Sequence, residues 1–281
     1  MKYGFVMPSG TVHDALRFAE AAEAAGWDGF FVWEPVWGND PWVTLAAIAM
    51  RTQRIRLGTL LTPLSRRRPW KVAGETATLD QLSNGRVILS VGLGAPDSGF
   101  ANFGEITDRK TRAELLDESI DIITGLWQGQ PFNYDGKHYH VTETTFMPPQ
   151  PPVQQPRIPI WVVGAWPQPK SMARVLKCDG LLPIIKEADG RYTHPTPDQI
   201  REMKAFVAAN RALASPFDII KEGETPLDKK DEWEEMVRPY AEAGITWWIE
   251  SMWTAPDLEA VFERVQYGPP QINPGSSIFG S

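Results

Sequence analysis

Residues Asp40–Ala95 read DPWVTLAAIAMRTQRIRLGTLLTPLSRRRPWKVAGETATLDQLSNGRVILSVGLGA. Two helix-then-strand units stand back to back in this stretch. Asp40 is placed to cap a helix whose first position is Pro41, where no backbone N–H is needed. Ile55–Leu61 then reads as a strand. A second helix spans about Pro69 to Leu82 and stops at Asn84-Gly85. Arg86–Val91 is nearly all apolar, as expected of a strand covered on both faces. Both strands run into short loops of small or polar residues, GTLLTP and SVGLGA. Helices that separate consecutive strands demand parallel pairing. In a closed (β/α)8 barrel the chemistry gathers on the loops that follow the strands.

The same grammar extends outward. Tyr3–Met7 predicts the first strand and Thr11–Gly26 an amphipathic helix, with Ala15, Phe18, Ala19 and Ala22 at helical spacing. Gly29–Trp33 predicts the second strand. Arg109–Trp127 is a helix with Leu115, Leu116, Ile120, Ile123 and Leu126 on one face. FNYDGKHYHV (Phe132–Val141) reads as a hairpin turning at Asp135-Gly136, followed by a proline-rich connector from Pro148 to Pro159. Ile158–Val163 and Gly180–Ile185 are the fifth and sixth strands, with a helix from near Pro169 between them. Asp198–Leu213 (helix), Phe217–Lys221 (strand), Lys229–Ala243 (helix), Thr246–Glu250 (strand) and Asp257–Val265 (helix) complete eight units. The chain is therefore expected to be an α/β protein, a TIM barrel with a hairpin inserted between strands four and five. Residues 1–281 read as one domain, with a loosely ordered tail from Tyr267.

Composition narrows the function classes. The 281 residues carry a net charge of -7, and no stretch interleaves Lys and Arg with aromatics, which argues against nucleic acid. The one basic cluster, Arg66–Arg68, is either a solvated loop or an anion contact near the barrel mouth. Cys178 is the only cysteine and reads as a packing residue. The N-terminus enters directly into a strand without the apolar core of a signal peptide, and no segment is long and apolar enough for a membrane span. A cytoplasmic protein is expected.

The stretch Trp33–Ala95, together with RAELLDESIDIITGLWQGQPFNYDGKHYHV (Arg112–Val141) and PRIPIWVVGAWP (Pro156–Pro167), resembles the bacterial luciferase-like family of flavin-dependent oxidoreductases. The resemblance implies a flavin or deazaflavin ring lying across the C-terminal ends of the strands. In many members a non-proline cis peptide ends the third strand behind the ring; here it would fall at Thr59-Leu60. The resemblance also implies a homodimer, built through helices near Pro41–Arg51 and Pro69–Leu82. Some deazaflavin-dependent relatives show an Asp-His pair where this chain has Glu34-Pro35, and a Glu where it has Ala95. Both departures argue against a sugar-phosphate dehydrogenase activity.

Candidate site residues follow from the strand ends. Gly92-Leu93-Gly94 is either a tight turn or a place where the backbone approaches a planar ring without a Cβ. It lacks the third glycine of a dinucleotide fingerprint. Val163-Gly164-Ala165 offers similar access, and Ser171 near a helix N-terminus is a candidate phosphate contact. Thr59, Leu60 and Thr62 complete the expected cofactor set. Glu34 sits where barrel catalysts concentrate. Flanking Trp33 and Trp37 would desolvate it and raise its pKa; the alternative is a loop carboxylate paired with an arginine. Glu34, Trp37 and Trp166 are the expected substrate-facing residues. Glu222, Glu224, Glu250, Ser251 and Trp253 stand at late strand ends, within reach of the same pocket. His13 reads as a surface residue, while His194 lies in a loop near the mouth. His138 and His140 share a hairpin face without the further ligands a metal needs, so no metal is expected.

The expected function is a reduced-FMN monooxygenase acting on a small organic substrate, supplied by a separate flavin reductase. A deazaflavin (coenzyme F420) enzyme transferring hydride is the first alternative. A noncatalytic flavin-binding relative is the second, and a barrel isomerase or lyase without flavin is the third.

Overall fold

The computed structural model describes residues 1–95, 98–145, 151–187 and 189–270. In chain order it places β1 (Lys2–Met7), α1 (Val12–Ala24), β2 (Gly29–Val32), α2 (Pro41–Ala49), β3 (Arg56–Thr59), the two-residue β4 (Thr62–Pro63) and α3 (Pro69–Leu82). Then come β5 (Val87–Gly92), α4 (Arg109–Gln128), the hairpin β6 (Phe132–Asp135) and β7 (His140–Thr144), β8 (Ile160–Trp166) and α5 (Pro169–Val175). The last part holds β9 (Gly180–Lys186), a short β10 (Tyr192–Thr193), α6 (Pro197–Asn210), β11 (Asp218–Gly223), α7 (Trp233–Ala243), β12 (Trp247–Ser251) and α8 (Leu258–Tyr267). The ladder β1–β2–β3–β5–β8–β9–β11–β12 returns to β1, and every pairing is parallel. The molecule is thus a TIM barrel with its hairpin between the fourth and fifth barrel strands.

Local chemistry sets the helix starts. Thr11 and Asp14 form a reciprocal capping box at α1. The Asp40 carboxylate accepts from the Trp42 and Val43 amides, with Pro41 at the first helical position. The hairpin is held by one side chain of α4. Glu118 accepts from the backbone amides of Lys137, His138 and Tyr139, at 2.9 to 3.1 Å.

Period-two alternation divides each strand between two cores. Outside, Phe5, Phe30, Leu57, Leu89, Ile160, Val162 and Trp248 pack under the helices. Inside, Phe31, Trp161 and Trp247 fill the barrel, with ring centroids 5.2 to 6.2 Å apart. Trp247 therefore faces the axis and Trp248 the helices, as alternation requires. Glycines face these rings: a Cβ at Gly29 would lie 2.9 Å from Trp247, and one at Gly180 only 2.3 Å from Trp161.

Several boundaries differ from expectation. β8 starts at Ile160 and runs through Trp166, because its pairing with β9 continues to Trp166 opposite Ile185. α6 ends at Asn210; Arg211 turns extended, and its guanidinium donates to Cys178 O and Asp179 Oδ1. Regular helix in α7 begins only at Trp233, after a 3-10 turn (Leu227–Glu232) in which Lys229 leaves helical geometry. Helix α8 reaches Tyr267, so the expected tail begins later. Its residues 271–281, and the start of the proline-rich connector at 148–150, lie outside the described residues.

Trp161 is fully buried among Phe31 and Trp247. Trp161→Ala is expected to lower unfolding free energy by about 3–5 kcal/mol, read from the denaturant midpoint. Gly180→Val should also destabilise, because its Cβ has no room beside that indole. A Trp161→Ala midpoint equal to wild type would mean that the rings do not support the barrel.

Candidate functional site at the barrel mouth

Alternation also settles which strand-end residues look into the mouth. On the β3, β5 and β8 side, Leu60 and Val163 belong to the interior cluster. A Cβ at Gly92 would stand 2.9 Å from Leu61 Cδ2 and 3.1 Å from Val163 Cγ2, so these three residues meet on one wall. β11 and β12 stand across the eight-membered ring from β3 and β5. There Ile220 and Ile249 point inward, and one step of two residues brings Glu222 and Ser251 to the mouth. The Trp253 indole donates to Glu222 Oε2 at 3.4 Å, and Ser251 Oγ donates to Gly223 O at 3.3 Å. Trp33 is held at the rim by its indole bond to Pro8 O at 2.7 Å. An apolar wall thus faces a polar one.

The expected cofactor residues separate into distinct roles. Leu60, Gly92, Val163 and Ala165 are inward. Thr59 and Thr62 are fully buried, their hydroxyls 2.9 Å apart, and they lock the loop after β3 rather than lining open space. The non-proline cis bond is Leu60-Leu61, one residue later than expected. Leu93 packs with the outer core. Gly94 takes φ +72°, and a Cβ there would lie 2.9 Å from Phe100 and Pro63. Arg112 fixes the turn by donating to Leu93 O and Gly94 O. Gly164 points outward, where a Cβ would stand 2.3 Å from Leu181 and 2.8 Å from Val175. It serves strand–helix packing and does not touch the mouth. Ser171 Oγ accepts from the Ala165 amide at 2.9 Å, which leaves its own proton available as a donor.

Trp166 shares the outward parity of Gly164 and rests edge-on against Phe206 of α6 at 5.6 Å. It faces the helix layer because β8 continues three residues beyond the expected strand end. Trp37 is 83% exposed on the loop after β2. Trp166 is thus turned to the helix layer and Trp37 to solvent.

Glu34 is buried, but by arginines rather than by tryptophans. Arg67 Nε lies 2.9 Å and Arg66 Nη2 3.6 Å from Glu34 Oε1. Arg66 also donates to Glu34 O and Pro35 O, while Arg67 reaches Asp40 and Glu75. Burial pushes the Glu34 pKa up, and the two guanidinium charges oppose that shift. The paired-carboxylate reading is the one realised. Arg66 and Arg67 are consumed in the same clamp, with Arg66 also stacked over Phe100.

Glu222 is the carboxyl that remains on the mouth. Burial pushes its pKa upward, opposed by the Trp253 hydrogen bond and by Lys221. Lys221 itself points outward over Tyr240 and Trp248, and burial pushes it down to about 8. Glu250 faces outward too, bound to Thr225 and Arg264. Leu61 was absent from the expected set; the consecutive leucines before Thr62-Pro63 carry no signal of which one turns inward. His138 bonds Glu114 and His140 bonds Asp135. Among the described residues no group of three His, Cys, Asp or Glu side chains is placed to hold a metal. Cys178 is fully buried and pushed up to about 12, as suits a packing residue.

Glu34→Ala would remove the carboxylate shared by Arg66 and Arg67, leaving Arg66 on backbone carbonyls and Arg67 on Asp40 and Glu75. It is expected to cost about 1–3 kcal/mol, whereas Trp37→Ala should change stability by less than about 0.5 kcal/mol. Paired denaturant melts read both. Equal midpoints for the two variants would mean that the clamp carries no stability.

The family model described as luciferase-like monooxygenase matches residues 3–266. An F420-dependent glucose-6-phosphate dehydrogenase of Amycolatopsis mediterranei (strain U-32) is 34% identical over 166 residues, covering 55% of this chain and 48% of that protein. A protein of the same description from Nakamurella multipartita is 31% identical over 196 residues, covering 66% of this chain and 56% of that protein. The chain spans about half the length of the curated relatives it matches. The solved structure of an F420-dependent secondary alcohol dehydrogenase in complex with an F420-acetone adduct superposes with a TM-score of 0.77. Its identity is 17%, with 96% of this chain and 98% of that one covered. That likeness is one of fold. With the barrel, the inserted hairpin and a family match that runs nearly from end to end, this chain belongs to the luciferase-like monooxygenase family.

Proposed function

We propose that this chain, as one barrel domain over residues 1–281, is an oxidoreductase that holds a flavin or deazaflavin across the barrel mouth. The observation that carries this reading is the apolar wall of Leu60, Leu61 and Val163 beside the Cβ-free Gly92, set opposite Glu222, Ser251 and Trp253. A flat ring needs one broad apolar face, and a substrate needs polar groups on the other side. In this reading Ser171, whose Oγ accepts from the Ala165 amide, donates its hydroxyl proton to a phosphate of the tail. The bound group supplies the redox chemistry. The protein supplies the shelf, the exclusion of water and the groups that face the substrate.

Two cofactors fit this shelf. Sequence similarity to F420-dependent dehydrogenases favours the deazaflavin version, in which hydride moves between coenzyme and substrate. The family description favours reduced FMN, with oxygen insertion into a small organic substrate and a separate flavin reductase as partner. Pro35 and Ala95 argue against a sugar phosphate as substrate in either case. A homodimer through α2 and α3 belongs to the same reading, supported by exposed Val43, Met50, Trp70 and Leu82 on those helices. So does a cytoplasmic location. Among the described residues, no helix is long and apolar enough to cross a membrane.

Anaerobic titration of the protein with reduced FMN, and separately with coenzyme F420, is expected to give tight binding of one. Val163→Trp, which fills the shelf, should weaken that binding more than tenfold while leaving the fold intact by circular dichroism. Weak binding of both cofactors would overturn the reading.

A further inference from the structure

At the mouth, buried Glu34 and half-buried Glu222 differ in their partners. Glu34 is clamped by Arg66 and Arg67. Among the described residues, Glu222 has no salt bridge to a cation. Its side chain follows the inward line of Ile220, and its Oε2 takes the long indole bond from Trp253, at 3.4 Å. It stands across the ring from Leu60 and Leu61, on the side a substrate would occupy. The charged groups around it are few. On its own strand, Lys221 turns outward, its ammonium bonded to Glu222 O, and Glu224 lies just beyond. On β12, Glu250 turns outward to Arg264. On β9, Lys186 sits exposed at the rim, and His194 lies exposed in the loop that follows.

We propose that Glu222 is the catalytic acid–base of the mouth, holding the proton that partners the redox step at a substrate oxygen. This rests on the oxidoreductase reading above. In the oxidising direction of the deazaflavin version, the carbinol C–H pair leaves as hydride for the deazaflavin acceptor. The O–H proton passes to a Glu222 oxygen, and the C=O bond forms. The reverse direction returns the proton from Glu222 to the carbonyl oxygen. A half-buried carboxyl without a salt-bridge partner keeps its proton to higher pH when desolvation outweighs the opposing Lys221 charge and the Trp253 bond, as at Glu222, and general acids are most effective near their operating pH.

The test needs no substrate. The Trp253 indole N–H reports on Glu222 directly, and its NMR resonance is identified by its loss in Trp253→Phe. In the wild-type apo-protein that resonance should titrate with a midpoint above the ordinary glutamate value, and in Glu222→Gln it should not titrate at all. Stability should respond with a definite sign. The folded carboxyl holds its proton to higher pH than the unfolded one. Wild-type stability should therefore fall relative to Glu222→Gln as pH rises from the ordinary glutamate range through the folded midpoint. A ring seated on the opposite wall shields Glu222 further, so bound coenzyme F420 or FMN should raise the midpoint. Cofactor affinity should then fall about tenfold per unit of that shift as pH rises, and this dependence should vanish in Glu222→Gln. Cofactor binding that leaves the midpoint unmoved, or a titration that persists in Glu222→Gln, would overturn the role of Glu222 alone. Failure of the wild-type protein to bind either cofactor would overturn the oxidoreductase reading, and the proposed role with it.

Discussion

The barrel depends on how its axis is filled. Phe31, Trp161 and Trp247 occupy the space between the strands, and Gly4, Gly29 and Gly180 yield the room that those rings need. Close packing makes this arrangement mutually exclusive with any Cβ at the facing positions. Its consequence reaches the site. Bulky rings near the starts of the strands fill the lower interior, and the mouth lies at the opposite, loop-bearing end. The next inward layer, with Leu60, Val163, Ile220 and Ile249, becomes the floor on which a ligand would rest.

Above that floor, the loops after β2 and β3 are cross-linked by charge. Arg66 donates to two backbone carbonyls of the β2 loop, and Arg67 gathers Glu34, Asp40 and Glu75. Phe100 lies between Arg66 and Arg112, with guanidinium carbons 4.9 and 5.5 Å from the ring centre, and Arg112 in turn holds the β5 turn. Three consecutive mouth loops are therefore tied into one rigid rim. Rigidity on this side suits a wall that must stay flat against a ring.

The alternation of strands and helices was legible because each unit is punctuated: Asp40-Pro41 opens a helix, Asn84-Gly85 ends one, and Val87–Gly92 is apolar throughout. Local chemistry alone suffices for such signals. The orientation of strand-end residues was less legible, because it depends on where pairing stops. β8 pairs through Trp166, so Gly164 and Trp166 take the outward parity and Val163 and Ala165 the inward one. Sequence showed the small residues but not which way each pointed. The same holds at Glu34. Its position beside Trp33 and Trp37 suggested an aromatic lid, yet the arginines that bury it arrive from residues 66 and 67, across a fold contact that no local pattern encodes.

Two carboxyls near one mouth, both pushed upward by burial, illustrate why burial alone does not mark a catalytic group. At Glu34 two guanidinium groups within 3.6 Å of Oε1 supply the charge that an ionised carboxylate requires, and neutralising it would weaken the clamp that holds the rim. Its chemistry is spent on structure. Among the described residues, the direct side-chain donor to Glu222 is a neutral indole, which carries no charge to oppose either protonation state. Protonating or deprotonating Glu222 therefore leaves the surrounding contacts in place. A group that must exchange a proton on every turnover needs that indifference in its neighbours. In this mouth it is found on the wall formed by β11 and β12, not on the one where sequence first directed attention.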